Sequence, residues 1–220
     1  TSSMQSKPSM ASGIVIPNRP EPSGPGVAEI YIGGAADGQS RIVASFVTAR
    51  QRHLFESGNR HGRTAAWFAH YDVDGATVHC LAALSRGNDI ALVGHSWGSD
   101  AALRVAHQVN GRIGLLAGVD PVMRPGSVFS RASRRPNNAA LVVHVDARPR
   151  RIDQSDIVKA TGVVLGGGLA DAYRSADVMI RTELNHWAFA DMMAAPGLDG
   201  VSLGERIGRA DWGAPKVRAG

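Results

Sequence analysis

The sequence predicts an α/β fold: a doubly wound, mostly parallel sheet of about six strands. Two observations lead there. Short apolar runs recur through the middle of the chain, and several lack period-2 alternation, as strands covered on both faces do. Segments with helical spacing alternate with these runs, the order that crossover helices impose on a parallel sheet.

The elements follow in chain order. Residues 1–27 are rich in Ser, Pro and Gly and end near PNRPEPSGPG, so they read as an extended or disordered arm. AEIYIGG at 28–34 has the length of a buried strand, and RIVASFVTARQRHLF then sets Val43, Phe46, Val47 and Leu54 near one helical face. TAAWFAHY at 64–71 reads as the second strand, followed by a helix carrying Val78, Cys80, Leu81 and Leu84. DIALVG at 89–94 is the third strand, and Ala102, Val105, Ala106 and Val109 keep helical spacing after it. IGLLAGV at 113–119, ALVVHV at 140–145 and DVMIRTEL at 177–184 complete the sheet. From residue 196 the chain is Gly-rich and weakly periodic, giving a globular domain over 28–195 and a tail over 196–220.

Composition narrows the function classes. The chain has 220 residues, 44% of them hydrophobic, enough for one domain that buries roughly 70% of its unfolded surface. No apolar run approaches the ~20 residues of a membrane helix. No signal-peptide pattern is visible, which leaves both a cytoplasmic protein and a secreted effector as expectations. The single cysteine, Cys80, rules out an internal disulfide and reads as a buried small hydrophobe. The net charge is +5, with arginines at 131, 134 and 135 and at 148, 150 and 151 flanking the fifth strand. Aromatics make up only 5%, and no nucleic-acid-binding motif is present, so the basic balance points to an anionic lipid surface or acidic partner instead.

Open parallel sheets bind ligands at the carboxyl ends of their strands. There the chain places Gly33-Gly34-Ala35, His95-Ser96-Trp97-Gly98, Asp120, Asp146 and His186. DIALVGHSWGSDAALRVA reads strand, sharp turn, helix, with Gly94, Ser96 and Gly98 as G-x-S-x-G. Such a turn lifts a serine hydroxyl off the sheet and sets it at a helix N-terminus, where partial positive charge favours a developing oxyanion.

On these residues the chain resembles the α/β-hydrolase superfamily. The segment GHSWGSDAALRVAHQVNGRIGLLAGVDP, 94–121, is similar to the pancreatic-type lipases; YIGGAAD and the late histidine are loosely similar to small bacterial hydrolases, some of them secreted lipase effectors. The resemblance implies an α/β-hydrolase fold with a minimal lid and a serine hydrolase that cleaves carboxylic esters, including lipid esters. Ser96 would be the nucleophile. In the order Ser, acid, His, only His186 follows the last strand, so it is the expected base. The acid is Asp120, which lies at the lipase-like spacing from Ser96, or Asp146 after the next strand, or a further residue such as Asp153. The backbone N–H groups of Trp97 and Gly34 are the expected oxyanion donors.

No metal-ligand cluster and no paired cysteines appear, so the expected cofactor is none. VVLGGGLAD at 163–171 lacks the register of a phosphate loop and reads as a flexible loop over the site mouth. Trp97 and Trp187 adjoin the site residues and either line an acyl pocket or pack in the core. A thioesterase or amidase using the same triad, and a non-catalytic binding protein on this fold, remain as alternatives.

Overall fold

The computed structural model describes residues 26–59, 62–149 and 168–213. Six strands form one sheet: β1 (Val27–Ile32), β2 (Thr64–Phe68), β3 (Asp89–His95), β4 (Ile113–Val119), β5 (Ala139–Ala147) and β6 (Val178–Thr182). All neighbours are parallel, in the order β2-β1-β3-β4-β5-β6. The helices are α1 (Asp37–Ser40), α2 (Ile42–Glu56), α3 (Val73–Ser85), α4 (Trp97–Gln108), α5 (Asp171–Arg174), α6 (Phe189–Ala194) and α7 (Leu203–Arg209). This is a doubly wound, all-parallel α/β arrangement.

Every residue of β1 and β4 is buried, which explains why β4 reads as a continuous apolar run and β1 as one broken by Glu29 alone. Ala28, Ile30 and Ile32 join the core under α3 and α4 with Ala76, Cys80 and Leu103. Val27 and Tyr31 point into the opposite core with Val43 and Val47 of α2, Phe189 and Met192 of α6, and Leu203 of α7.

The expected tail over 196–220 requires correction over its described part. Ser202 caps α7 reciprocally with Glu205, and Leu203, Ile207 and Trp212 are buried in the second core. The Trp212 ring lies against Gly114 of β4, where a Cβ would come within 2.0 Å of it. Arg63 donates to the carbonyls of Ile207 and Gly208 while pairing with the buried Glu29 of β1. Helix α7 is two turns long, too short for periodicity to announce it. Two strand ends also differ: β2 stops at Phe68, leaving His70 and Tyr71 beyond its carboxyl end, and β5 runs on through Asp146 to Ala147.

The register sets the strand ends level. Ile32 pairs with Gly94, His95 with Val119, and Val119 with Val145. The residues that follow β1, β3 and β4 therefore emerge along one edge. The expected arm over 1–27 ends too late, because Val27 already belongs to β1 and is buried; residues 1–25 of that arm, 163–167 of the Gly-rich loop, Asp153, Arg150 and Arg151 lie outside the described residues.

Candidate active site

Ser96 occupies a strained turn. It has φ 54° and ψ −127°, a conformation that L-residues rarely adopt and that costs roughly 1–3 kcal/mol. The surrounding bonds over-determine it. Its N–H donates to the Val119 carbonyl at 3.1 Å, and its carbonyl accepts from Ser99 at 2.9 Å and Val122 at 3.3 Å. Ser99 Oγ also reaches back to the Gly94 carbonyl at 2.9 Å.

The two flanking glycines are required by contact. A Cβ on Gly94 would lie 2.3 Å from the Gly98 carbonyl oxygen, and one on Gly98 would lie 2.1 Å from that of Ile32. Without side chains there, α4 seats directly on β1 and β3. Trp97 is the first residue of α4, so its N–H has no acceptor within the helix.

Asp120, which follows β4, and His186, which follows β6, meet at Ser96. Asp120 follows β4 with φ 44°; its N–H donates to Val145 at 2.7 Å, and its Oδ1 accepts from Ala147 N–H at 3.3 Å. Its Oδ2 lies 2.6 Å from His186 Nδ1, and His186 Nε2 lies 3.0 Å from Ser96 Oγ. A carboxylate at Nδ1 places the imidazole proton there and leaves the Nε2 lone pair to accept the Ser96 hydroxyl. The carboxylate and the imidazole are both buried.

Asp146, the other acid expectation, is not at this position. It stays in β5, pairs in register with Arg181, and its carboxylate accepts from Arg148 Nε at 2.5 Å. The cause is strand length, since β5 runs past the residue where β4 has already turned away.

Gly34 stands beside the serine. A Cβ there would fall 2.8 Å from Ser96 Cβ and 3.3 Å from its Oγ. The Gly33–Gly34 loop is fixed by Gly33 N–H to Phe68 and Asp37 N–H to the Gly34 carbonyl. The buried Asp37 carboxylate accepts from Val43 N–H and from Trp67 Nε1, both at 2.7 Å. All five expected site residues, Ser96, His186, Asp120, Trp97 and Gly34, thus lie around one hydroxyl.

Three contributors carry no signal that sequence reasoning picks out. Asp37, five residues past the strand run in GGAAD, shapes the glycine loop. His95 donates from Nε2 to the His186 carbonyl at 2.8 Å, and burial, with the nearby His186 second, pushes its pKa down to about 4. The His70 ring lies 5.7 Å from that of Trp97 and 5.3 Å from that of Tyr71. Burial and the Arg124 charge lower the His70 pKa. The Cys80 thiol, by contrast, sits in the core, where burial pushes it up to about 12 and leaves it inert at neutral pH. Among the described residues no three His, Cys, Asp or Glu side chains gather as metal ligands would.

No protein-family model matches the chain, and no curated protein matches its sequence. Solved structures similar to it include a protein of the alpha/beta hydrolase superfamily from Xanthomonas campestris pv. campestris, 18% identical, with 83% of this chain and 92% of that one covered and a TM-score of 0.41. An alpha-beta serine hydrolase homologue from Coxiella burnetii is 13% identical over 77% of this chain and 82% of its own, with a TM-score of 0.42. Est1E from Butyrivibrio proteoclasticus is also 13% identical over the same shares, with a TM-score of 0.39.

Proposed function

We propose that the protein is a serine hydrolase of carboxylic esters, with Ser96 as nucleophile, His186 as general base and acid, and Asp120 as the carboxylate that orients it. The observation that carries this reading is the unbroken chain from Ser96 Oγ to His186 Nε2 at 3.0 Å and from His186 Nδ1 to Asp120 Oδ2 at 2.6 Å.

In the first step Ser96 Oγ attacks the ester carbonyl carbon, and its proton passes to His186 Nε2. The carbonyl π electrons move to oxygen, where the N–H groups of Trp97 and Gly34 hold the oxyanion at the start of α4. As the tetrahedral adduct collapses, the Nε2 proton goes to the leaving alkoxide, which departs as an alcohol. Water then donates a proton to His186 and attacks the acyl-enzyme, releasing the carboxylic acid and restoring Ser96. Asp120 stabilises the imidazolium in both steps without itself taking the proton.

A row of aromatic rings favours an ester with an apolar acyl group, a lipid among them. Trp97, His70 and Tyr71 run in contact from the residue beside the nucleophile to a ring that is 76% exposed. They stand at the β2 end of the sheet, whereas His186 arrives from β6. The leaving oxygen must face His186, so the acyl group is the part free to extend toward these rings. The positive charge of the chain fits an anionic lipid surface as the place where such an ester is met.

The test is hydrolysis of matched p-nitrophenyl esters, thioesters and anilides of increasing acyl length by wild type and Ser96→Ala. The proposal expects ester turnover that rises with acyl length and disappears in Ser96→Ala. Ester turnover by Ser96→Ala at the wild-type rate would refute it, and a preference for thioester or anilide would transfer the same chemistry to a different substrate.

A further inference from the structure

The residue before the nucleophile bonds to the residue that would activate it. His95 ends β3, is only 3% exposed, and sends its ring under the loop that carries His186. Its Nε2 lies 2.8 Å from the His186 carbonyl oxygen. A carbonyl only accepts, so Nε2 carries the proton and the tautomer of His95 is fixed. The two imidazoles also pack against each other at a tilt, with centroids 4.8 Å apart and planes inclined by 31°. Phe189 meets His95 edge-on at 5.4 Å, and Phe46 and Tyr31 extend this row of edge-on contacts at 5.2 and 5.4 Å.

We propose that His95 is a positioning residue, which sets the aim of His186 by holding its backbone carbonyl and packing against its ring. The inference rests on the reading of Ser96, His186 and Asp120 given above. Residues 95 and 186 are 91 positions apart, and this bond ties the β6–α6 loop to the strand that presents Ser96. Without it, the side-chain hydrogen bonds to Asp120 and Ser96 must set the aim of His186. Those contacts fix the ring in the resting state, but they change as the proton moves. An anchor on the main chain does not change during the reaction. His95 also stays neutral over the working pH range, so no second positive charge opposes the imidazolium. The ionisable groups that act on it are His186 and Asp120.

The experiment compares His95→Gln, His95→Asn and His95→Phe with wild type. The Gln amide nitrogen reaches about as far as Nε2 and can donate to the His186 carbonyl, whereas the Asn nitrogen falls short, near the Nδ1 position. Phe keeps the ring and removes the donor. Steady-state kcat and KM are measured on a short-chain p-nitrophenyl ester, with active sites counted by fluorophosphonate titration and folding followed by urea denaturation. The proposal expects His95→Asn and His95→Phe to lose about 10- to 100-fold in kcat per titrated site, with KM within about twofold. His95→Gln should recover to within about threefold of wild type, with an unshifted acid limb of the pH–kcat/KM profile.

If Asn, Gln and Phe all keep wild-type kcat per titrated site, or if Gln falls as far as Asn, the proposal is overturned. Should Phe fail to fold, the Gln–Asn comparison decides alone. Failure of the underlying reading is separately visible, because wild type itself would then neither turn over ester nor take the fluorophosphonate.

Discussion

Gly98→Ala should damage both the fold and the site, and the size of the effect follows from contact distances. The added Cβ would sit 2.1 Å from the Ile32 carbonyl oxygen and 2.8 Å from that of Gly33. Carbon–oxygen contacts settle at about 3.3–3.6 Å, so the overlap exceeds ~1 Å and falls on strand backbone that cannot swing aside. Helix α4 must move off β1 by about that distance. Ser96 lies two residues before Gly98, so its hydroxyl is carried away from His186 Nε2, now 3.0 Å distant. Overpacking of this kind costs about 1–3 kcal/mol or more, and a displacement of ~1 Å at a reacting group costs about 100-fold in rate. Urea unfolding followed by tryptophan fluorescence reads the first quantity, and the second-order rate of fluorophosphonate labelling reads the second. Gly208→Ala is the control, since a Cβ added there on α7 would meet nothing within 4 Å, and a helical Gly→Ala change is expected to stabilise by about 0.5–1 kcal/mol. A Gly98→Ala protein within ~0.5 kcal/mol of wild type that labels within about threefold of its rate would refute the steric argument.

Three further outcomes are expected. Asp120→Asn should lower kcat by about 10⁴-fold by presenting the wrong tautomer of His186, while Asp146→Asn, whose carboxylate bonds Arg148 from within β5, should stay within about threefold in the same ester assay. Glu29→Gln should lower urea stability by about 3 kcal/mol, because the fully buried Glu29 carboxylate accepts from Arg50 Nη2 at 2.7 Å and Nε at 2.9 Å and from Arg63 at 3.2 Å. Activity per folded molecule should be unchanged in that variant. His95 titrates near 4 when folded against about 6.5 when unfolded, so between those values the unfolded chain binds the extra proton. Its contribution is complete above about pH 6.5 and is lost as pH falls toward 4; urea titrations should show a shallower loss over that window in His95→Gln than in wild type.

The strands were legible because burial on both faces leaves an apolar run with no polar alternation, as in IGLLAGV over β4. The serine turn was legible because its two glycines answer contacts that any strand-turn-helix of this kind must make. The choice between Asp120 and Asp146 was not. It depends on β5 continuing past the level at which β4 ends, and strand length is set by pairing with β6, which residues 140–146 alone do not reveal. His95 and Asp37 act through partners distant in sequence or on another element, so their residue types carry no local sign of it. Helix α7 did leave a sign, Ser202 followed three residues later by Glu205, which outweighs the weak periodicity around it. His70 reads as strand because its neighbours are apolar, whereas β2 has already ended and the ring has turned toward Trp97.

The central claim is that Ser96 is a hydroxyl activated by His186. Fluorophosphonate labelling of the folded protein, followed by peptide mapping in wild type and His186→Ala, tests it most directly. The expected result is a single adduct on Ser96 in wild type that is absent from His186→Ala under the same conditions. A folded wild-type protein that takes no label, or one labelled equally well without His186, would contradict it.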